Sequence, residues 1–328
     1  MNAQFLVRGS GSMGSRYLYL LRDELRVPVV AYPKRPARAS ELRDQGFQTI
    51  ESLEELEQYN TLYSIVATNT DEHLKDAHLL AQFGKVLIEK PLAPSLSDLE
   101  GFNQNGDVDT RSISVAFCLR FSLAVNFVKE ALATLGQVYH VRIECSSFLP
   151  DWRPGTDYRE SYSAREAEGG VLRDLAHEID YAVWLFGYPS EISGLLSNDD
   201  QLGIRSEESA DILWVTPDGA TVSLRLDYLS KIPVRSMKAC GEKGTITWDL
   251  LKSTVLIEAD DGSEQKHQFS DERNAMLVRQ IKAFLGSSDD AKLLASYEEG
   301  ARVVALSDTA RKSSFSQAWE TIPDLGIE

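Results

Sequence analysis

The sequence predicts two domains: an α/β domain with a parallel, doubly wound sheet, and then an α+β domain with a large, mostly antiparallel open sheet. The chain has 328 residues, about the length of two typical domains. Up to about residue 120, short apolar runs alternate with amphipathic stretches, a pattern typical of parallel sheets covered by helices. Beyond it, longer alternating strands are separated by turn residues. We therefore expect domains at 1–120 and 121–328, with the last helix a candidate to pack back on the first.

The elements of the first domain follow from its apolar runs. Continuous apolar segments predict strands at 5–7, 27–32, 62–67, 85–88 and 113–117. Amphipathic spacing predicts helices at 15–25, at 39–45 and from Asp71 onward.

The second domain begins with a predicted helix at 122–135. Period-two alternation then predicts strands at 138–145, 210–215, 221–227, 237–241, 245–249 and 255–258. Helical spacing predicts helices at 172–186, 271–285 and 297–312.

Composition excludes several classes of partner. The net charge of −16 disfavours binding to nucleic acids and to anionic membranes. The longest apolar runs are too short for a signal sequence or a membrane helix. Three cysteines without metal-ligand spacing predict a reduced, cytoplasmic protein with neither disulfides nor a metal site.

A glycine loop follows the first predicted strand and opens the first helix. Its sequence fits GxGxxG and comprises Gly9, Ser10, Gly11, Ser12, Met13 and Gly14. In that context the glycines permit a tight turn and a close approach of backbone to a pyrophosphate, which the helix N-terminus attracts. The loop therefore predicts a Rossmann domain that binds a dinucleotide; the alternative is a glycine-rich turn without a ligand.

The second strand lacks the acidic residue that would bind a ribose 2′-hydroxyl. The residues after it include Lys34, Arg35 and Arg38 and no carboxylate. Three cations suit a 2′-phosphate, so we expect NADP(H) to be preferred, with NAD(H) possible. The alternative is a solvated basic loop, with the ribose bound by backbone groups.

The chain resembles the glucose–fructose oxidoreductase, inositol dehydrogenase and rhizopine-catabolism (Gfo/Idh/MocA) family. The resemblance depends on the glycine loop, then Ala67-Thr68-Asn69 with His73, then Gly84-Lys85 and Glu89-Lys90-Pro91, in matching order and spacing. It implies an enzyme that transfers a hydride between NAD(P) and a hydroxyl or keto carbon of a sugar. It also implies cofactor-binding roles for Thr68, Asn69, His73, Glu89 and Lys90. Lys90 would also be catalytic, by reaching the reacting hydroxyl, where a cation stabilises an alkoxide; the alternative is a surface lysine.

A second segment joins a carboxylate and an imidazole. On one continuous helix, Asp174, His177 and Tyr181 would share a face, and a carboxylate raises the pKa of a neighbouring imidazole. The alternative is a solvated helix face with an ordinary ion pair. The resemblance implies that His177 is the catalytic acid–base and that Asp174 orients it. Because the commoner family spacing is Asp-x-x-x-His, Asp180 is a second candidate partner, and Asp180 and Tyr181 are candidate substrate ligands.

A long connection before that helix combines aromatic and basic residues. Aromatic rings stack on sugars and arginines bind carboxylates or phosphates, so we expect an anionic or nucleotide-linked sugar to bind Trp152, Arg153, Tyr158 and Arg159. The resemblance implies the same substrate class, because family members with a similar loop look like enzymes of surface-carbohydrate biosynthesis. The alternative is an arm at an oligomer interface. Arg120, in the crossover between domains, is either a substrate ligand or a structural ion-pair partner.

Together these features favour an NAD(P)-dependent sugar oxidoreductase, with a homodimer or homotetramer expected from the exposed strands of the second domain. Two alternatives stay open. One is a redox-neutral elimination or glycosidase-type reaction that recycles its cofactor. The other is a non-catalytic NAD(P) sensor, which would not need Lys90, Asp174 and His177 together.

Overall fold

The computed structural model describes residues 4–58, 61–104, 108–272 and 274–326. The chain divides into two compact units, one of Met1–Cys118 with Arg273–Ala301 and one of Leu119–Glu272 with Arg302–Glu328. The expected second domain, 121–328, therefore differs from the structure over residues 273–301, which lie with the first unit. The reason is that Leu277, Ile281 and Phe284 pack in the hydrophobic core of that unit.

Sixteen strands occur among the described residues. In chain order they are β1 (Gln4–Arg8), β2 (Val29–Tyr32), β3 (Gln48–Thr49), β4 (Thr61–Val66), β5 (Lys85–Ile88), β6 (Ile113–Val115), β7 (Val138–Phe148), β8 (Glu191–Ser197), β9 (Ser209–Val215), β10 (Thr221–Asp227), β11 (Leu229–Gly241), β12 (Gly244–Asp249), β13 (Thr254–Ala259), β14 (Glu264–Gln268), β15 (Ala295–Ser296) and β16 (Glu320–Thr321).

The α-helices described are α1 (Ser12–Tyr19), α2 (Pro36–Asp44), α3 (His73–Ala81), α4 (Leu96–Gln104), α5 (Leu123–Ala131), α6 (Val171–Asp174), α7 (Ala176–Phe186), α8 (Ala275–Phe284) and α9 (Tyr297–Ser316). A π-helical turn, Leu20–Glu24, continues α1. The predicted range of α8, 271–285, includes residue 273, which lies outside the described residues. No helix in the described part of the chain is long and apolar enough to cross a membrane.

The first unit contains a seven-stranded sheet in the order β15-β6-β5-β4-β1-β2-β3. All neighbouring strands are parallel except β15, which pairs antiparallel with β6. This is the predicted doubly wound sheet, and its apolar strands are buried as expected for a sheet covered by helices. The carboxyl ends of β1, β4 and β5 lie at one edge of the sheet, where the candidate cofactor residues follow each strand.

The second unit contains a nine-stranded sheet in the order β14-β13-β12-β11-β7-β10-β9-β8-β16. Within it β7 and β10 are parallel, and the other neighbouring pairs are antiparallel, which confirms the predicted fold class. Side chains alternate along β9, so that Ile212 and Trp214 are buried while Leu213 and Val215 are exposed on the other face.

The structure contains α4, β3, β15 and β16, which the sequence patterns do not predict, and it differs from the predicted elements at two further strands and one helix. The polar strand β14, with the sequence EQKHQ, lacks the apolar alternation that predicts a strand, and it is a sheet edge. In β8, Gly194 interrupts the pattern because a Cβ there would lie 2.6 Å from the carbonyl oxygen of Ala310. The helix predicted over 172–186 is broken at Leu175, whose φ of −100° and ψ of 27° separate α6 from α7.

Candidate active site

The glycine loop combines a packed backbone with one open position. Gly9 has a φ of +88°, and a Cβ on it would lie 2.5 Å from the carbonyl oxygen of Ala67. A Cβ on Gly14 would collide with the carbonyl oxygen of Gly9. Gly11, the N-cap of α1, would meet nothing within 4 Å. The first and third glycines therefore permit close backbone packing, and the second leaves space at a helix N-terminus, an arrangement that fits a pyrophosphate.

The remaining loop residues border this open position. Gly11 and Ser12 are exposed, and Ser10 and Met13 are half-buried. The Ser15 hydroxyl donates to the carbonyl oxygen of Ser10 at 3.0 Å, which fixes the entry to α1.

The three predicted cations after β2 occupy different environments. Lys34 forms an ion pair with Glu72, with 2.7 Å between Nζ and Oε2. Arg38 pairs with Glu41 at 2.6 Å and also donates to the Ser15 hydroxyl at 3.0 Å. Arg35 is the exposed N-cap residue of α2. Lys34 and Arg38 thus each have an acidic partner, and Arg38 is also linked to the first turn of the glycine-loop helix.

The segment after β4 is held by polar contacts beneath its surface. The Thr68 hydroxyl donates to Asp76 at 2.8 Å, and Asp76 also pairs with Arg8 at 2.9 Å. Asn69 is exposed. His73 is 1% exposed; its Nδ1 lies 2.8 Å from the carbonyl oxygen of Pro91 and its Nε2 lies 3.2 Å from that of Thr68. Burial lowers the pKa of His73, which favours its neutral form. The buried ring connects the segment after β4 to the turn after β5.

The Glu-Lys-Pro turn follows β5. Glu89 is buried and accepts a hydrogen bond from the Tyr17 hydroxyl at 2.7 Å and one from the Lys90 backbone N–H at 3.2 Å. Burial raises the pKa of Glu89. Burial and the Glu89 carboxylate raise the pKa of Tyr17. Lys90 is half-buried, and its peptide bond to Pro91 is cis. The Glu89 side chain therefore faces the interior, and Lys90 is the member of this turn with access to solvent.

Asp174 and His177 lie on two short helices rather than on one face of a continuous helix. Asp174 is the last residue of α6, and His177 is the second residue of α7. The Asp174 carboxylate accepts a hydrogen bond from the hydroxyl of Tyr228, a fully buried side chain, at 2.7 Å. Burial and the Asp174 carboxylate raise the pKa values of Tyr228 and Tyr162. Asp174 is thus anchored by tyrosines, and His177 is half-buried at the start of α7.

Three predicted substrate ligands are buried in the second unit. Arg120 and Asp180 are 1% and 0% exposed and form a bidentate ion pair, with 2.7 and 3.0 Å between their atoms. Of the two alternatives for Arg120, the structure has the ion pair. Tyr181 is 1% exposed and packs edge-on against Trp248, with 5.4 Å between ring centroids. The predicted exposed polar face is absent, because Tyr181 is buried although it shares α7 with His177, and because the break at Leu175 separates Asp174, on α6, from both.

The aromatic and basic loop is largely tied down by its own contacts. The Trp152 indole N–H donates to the Ser147 hydroxyl at 3.0 Å, and the Tyr158 hydroxyl donates to the carbonyl oxygen of Leu202 at 2.9 Å. Arg153 and Arg159 are exposed. Their guanidinium groups lie over the rings of Tyr162 and Tyr158, 5.1 and 4.7 Å from the centroids.

Sequence reasoning missed three tyrosines that hold the predicted site residues. Tyr17, Tyr162 and Tyr228 contact or flank Glu89 and Asp174 as described above. Tyr17 follows Gly14 by three residues on an amphipathic helix, so its inward direction could have been expected. Nothing in the sequence joins Tyr228 to Asp174, which lies 54 residues away. Among the described residues, no group of three or more His, Cys, Asp or Glu side chains could hold a metal ion.

The comparisons agree with this two-unit fold. Residues 126–247 match the family model described as GFO/IDH/MocA C-terminal domain. No curated protein sequence matches the chain.

Similar solved structures cover almost the whole chain. Levoglucosan dehydrogenase in complex with NADH and levoglucosan is 17% identical, covers 99% of this chain and 100% of its own, and has a TM-score of 0.82. An oxidoreductase from Agrobacterium radiobacter in complex with NAD⁺, L-tartaric acid and magnesium is 16% identical, with 98% and 99% covered and a TM-score of 0.80. The WlbA dehydrogenase from Bordetella pertussis in complex with NADH and UDP-GlcNAcA is 18% identical, with 98% and 99% covered and a TM-score of 0.76. The family match over residues 126–247 and the fold shared with these structures agree with the resemblance to the Gfo/Idh/MocA family that the motifs indicate.

Proposed function

We propose that this protein is an NAD(P)-dependent oxidoreductase that transfers a hydride between the nicotinamide and a hydroxyl or keto carbon of a sugar. The observation that carries the proposal is the open position at Gly11 on the N-terminus of α1. It lies at the sheet edge where β5 also ends, immediately before Lys90. Ligands of open α/β sheets bind at that edge. The dinucleotide complexes of similar structures support the same reading.

The chemistry of the chain's own residues follows from their environments. The nicotinamide, when bound, supplies the hydride donor or acceptor. The Lys90 ammonium would stabilise negative charge that develops on the reacting oxygen. His177 would take the hydroxyl proton during oxidation and return it during reduction. Asp174 is the better candidate to orient His177, because the carboxylate of Asp180 is already used by Arg120.

Substitution of two loop glycines tests the proposal. Gly11→Ala has room for its methyl group in the folded chain, but that methyl would occupy space needed by a pyrophosphate. We expect it to retain the melting temperature and to weaken NAD(P)H binding, followed by nicotinamide fluorescence, by tenfold or more. Gly14→Ala is the matched comparison: its methyl meets the carbonyl oxygen of Gly9, so it should lower stability first. Equal dinucleotide affinity in Gly11→Ala and wild type would refute this site.

NADP(H) as the preferred cofactor is supported by the cations after β2 and by the lack of a carboxylate there. Arg35 is the stronger candidate, since Lys34 pairs with Glu72 and Arg38 pairs with Glu41. We expect Arg35→Ala to weaken NADPH binding by about tenfold and to leave NADH unchanged. Unchanged NADPH binding would contradict the preference. Mass spectrometry of nucleotide released from freshly purified protein provides a second measurement. NAD(H) that is retained and never exchanged would instead favour the redox-neutral reaction.

An anionic or nucleotide-linked sugar is the proposed substrate class. The exposed guanidinium groups of Arg153 and Arg159 lie on tyrosine rings, and Arg159 also lies 3.7 Å from the Asp157 carboxylate. A carboxylate or phosphate of the substrate would bind Arg153 and would compete with Asp157 for Arg159. The complex of WlbA with UDP-GlcNAcA is consistent with this class, whereas levoglucosan is a neutral sugar. Arg153→Ala and Arg159→Ala should raise the KM for acidic sugars. Arg165→Ala, an exposed arginine paired with Glu168, serves as the control. Unchanged KM in both loop variants would favour the alternative of an interface arm.

A homodimer through the outer face of the nine-stranded sheet is the proposed assembly, with a tetramer as the alternative. Leu195, Leu213 and Val215 are exposed on the sheet at 63%, 37% and 48%. Charges of both signs, including Arg142, Glu144 and Lys238, line a concavity of about 420 Å³ on this sheet. A self-complementary face of this kind suits a two-fold interface. The cytoplasmic location stays a prediction from cysteine usage, which cell fractionation would check.

A further inference from the structure

Tyr17 and the Glu89-Lys90 turn belong to different elements of the first unit and are joined by a buried hydrogen bond. Tyr17 is 0% exposed on α1, and its hydroxyl donates to Glu89 Oε1 at 2.7 Å. The other oxygen, Oε2, accepts the backbone N–H of Lys90 at 3.2 Å. One carboxylate therefore connects the helix that begins at the glycine loop to the backbone of Lys90.

The two donors favour the ionised form of Glu89. Both oxygens of a carboxylate only accept, whereas a neutral acid adds a proton of its own to one of the oxygens that already receives a donor. Burial raises the pKa of Glu89, and the Tyr17 bond and the Lys90 charge both oppose that rise. Removal of the Tyr17 hydroxyl would leave Oε1 buried without this donor and would weaken the ionised form.

The opposite side of the turn is held by α3. The carbonyl oxygen of Pro91 lies 2.8 Å from His73 Nδ1 and can only accept, so a proton on Nδ1 makes this contact a hydrogen bond. Glu89 and Pro91, the neighbours of Lys90, are thus each held by a buried side chain from a different helix.

We propose that Tyr17 is a positioning residue for Lys90, acting through Glu89. The proposal rests on the proposed function, because that function gives Lys90 its role at the reacting oxygen. Tyr17 is itself fully buried, so loss of its hydroxyl removes no group from the open face of the glycine loop. We therefore expect the rate of the chemical step to fall while the affinity for the dinucleotide is retained.

Tyr17→Phe tests the proposal, with Tyr297→Phe as the matched control. Tyr297 is 2% exposed in the same unit, and its hydroxyl donates to Asn103 at 2.8 Å, away from the turn. The first readout is hydrogen–deuterium exchange of the Lys90 amide in the full chain, resolved by fragmentation mass spectrometry. We expect exchange about tenfold faster in Tyr17→Phe and unchanged in Tyr297→Phe. Exchange that stays within twofold of wild type in Tyr17→Phe overturns the proposal.

The second readout separates positioning from general stability. We expect kcat to fall about tenfold in Tyr17→Phe, with the Kd for NAD(P)H within twofold of wild type. A merely structural role would lower the melting temperature and the active fraction of both variants and leave the kcat of the folded enzyme intact, which would overturn the proposal. A wild-type protein that binds neither NADH nor NADPH refutes the proposed function, and the Lys90 exchange rates then decide alone whether Tyr17 holds this turn.

Discussion

The hydrogen bond between Tyr228 and Asp174 gives a prediction about the proposed acid–base segment. Tyr228→Phe removes one hydroxyl from a fully buried ring and leaves Asp174, 8% exposed, without that 2.7 Å bond. A hydrogen bond to a charged group contributes about 1.5–3 kcal/mol. Since Tyr162 also hydrogen-bonds this carboxylate, Asp174 keeps a donor in the variant, and we expect a loss near the lower end, about 1.5–2 kcal/mol of unfolding free energy.

The assay combines urea unfolding with steady-state kinetics. Tyr228→Phe should lower the unfolding free energy by the stated amount and kcat by about tenfold, because Asp174 would no longer be fixed relative to α7. Tyr188→Phe is the control, because its hydroxyl donates to an uncharged acceptor, the backbone carbonyl oxygen of Arg302, at the longer distance of 3.5 Å. Equal effects of the two substitutions on stability and kcat would refute the reasoning.

Three further predictions follow from other contacts. Asp180→Asn leaves the Arg120 guanidinium buried beside an uncharged amide and should lower the unfolding free energy, measured in urea, by about 3–5 kcal/mol. The double variant Arg120→Met with Asp180→Leu replaces the ion pair with apolar side chains and should lower it by less. A larger loss in the double variant would contradict this assignment. Burial depresses the pKa of His73 below its ordinary value of 6.5, so below pH 6.5 the unfolded chain binds more protons than the folded chain. The contribution of His73 to the unfolding free energy is therefore fully present above pH 6.5 and declines as the pH falls below that value. The melting temperature of wild type should therefore fall more between pH 7 and pH 5 than that of His73→Gln, and parallel curves would argue against a buried neutral ring. Leu195→Asp places a charge on the outer sheet face and should shift the particle toward a monomer in analytical ultracentrifugation; an unchanged mass would place any interface elsewhere.

The sequence alone determined the fold class and the candidate cofactor loop. Periodicity distinguished buried parallel strands from alternating antiparallel ones, because side-chain direction depends on local spacing. The GxGxxG loop and the Glu-Lys-Pro turn could be found for the same reason, since each lies within a few residues of a recognisable strand. The helix break at Leu175 could not, because the sequence there keeps its helical apolar spacing.

Only the tertiary structure decided which polar groups pair with other buried groups and so are not available to a ligand. Arg120 and Asp180 resemble ligands in the sequence, yet 60 residues separate two groups that neutralise each other in the interior. Tyr17 holds Glu89 across 72 residues, and Tyr228 holds Asp174 across 54. The spacing of residues along the chain carries no information about such pairs, because they form only when separate elements pack and burial makes an unpaired polar group costly.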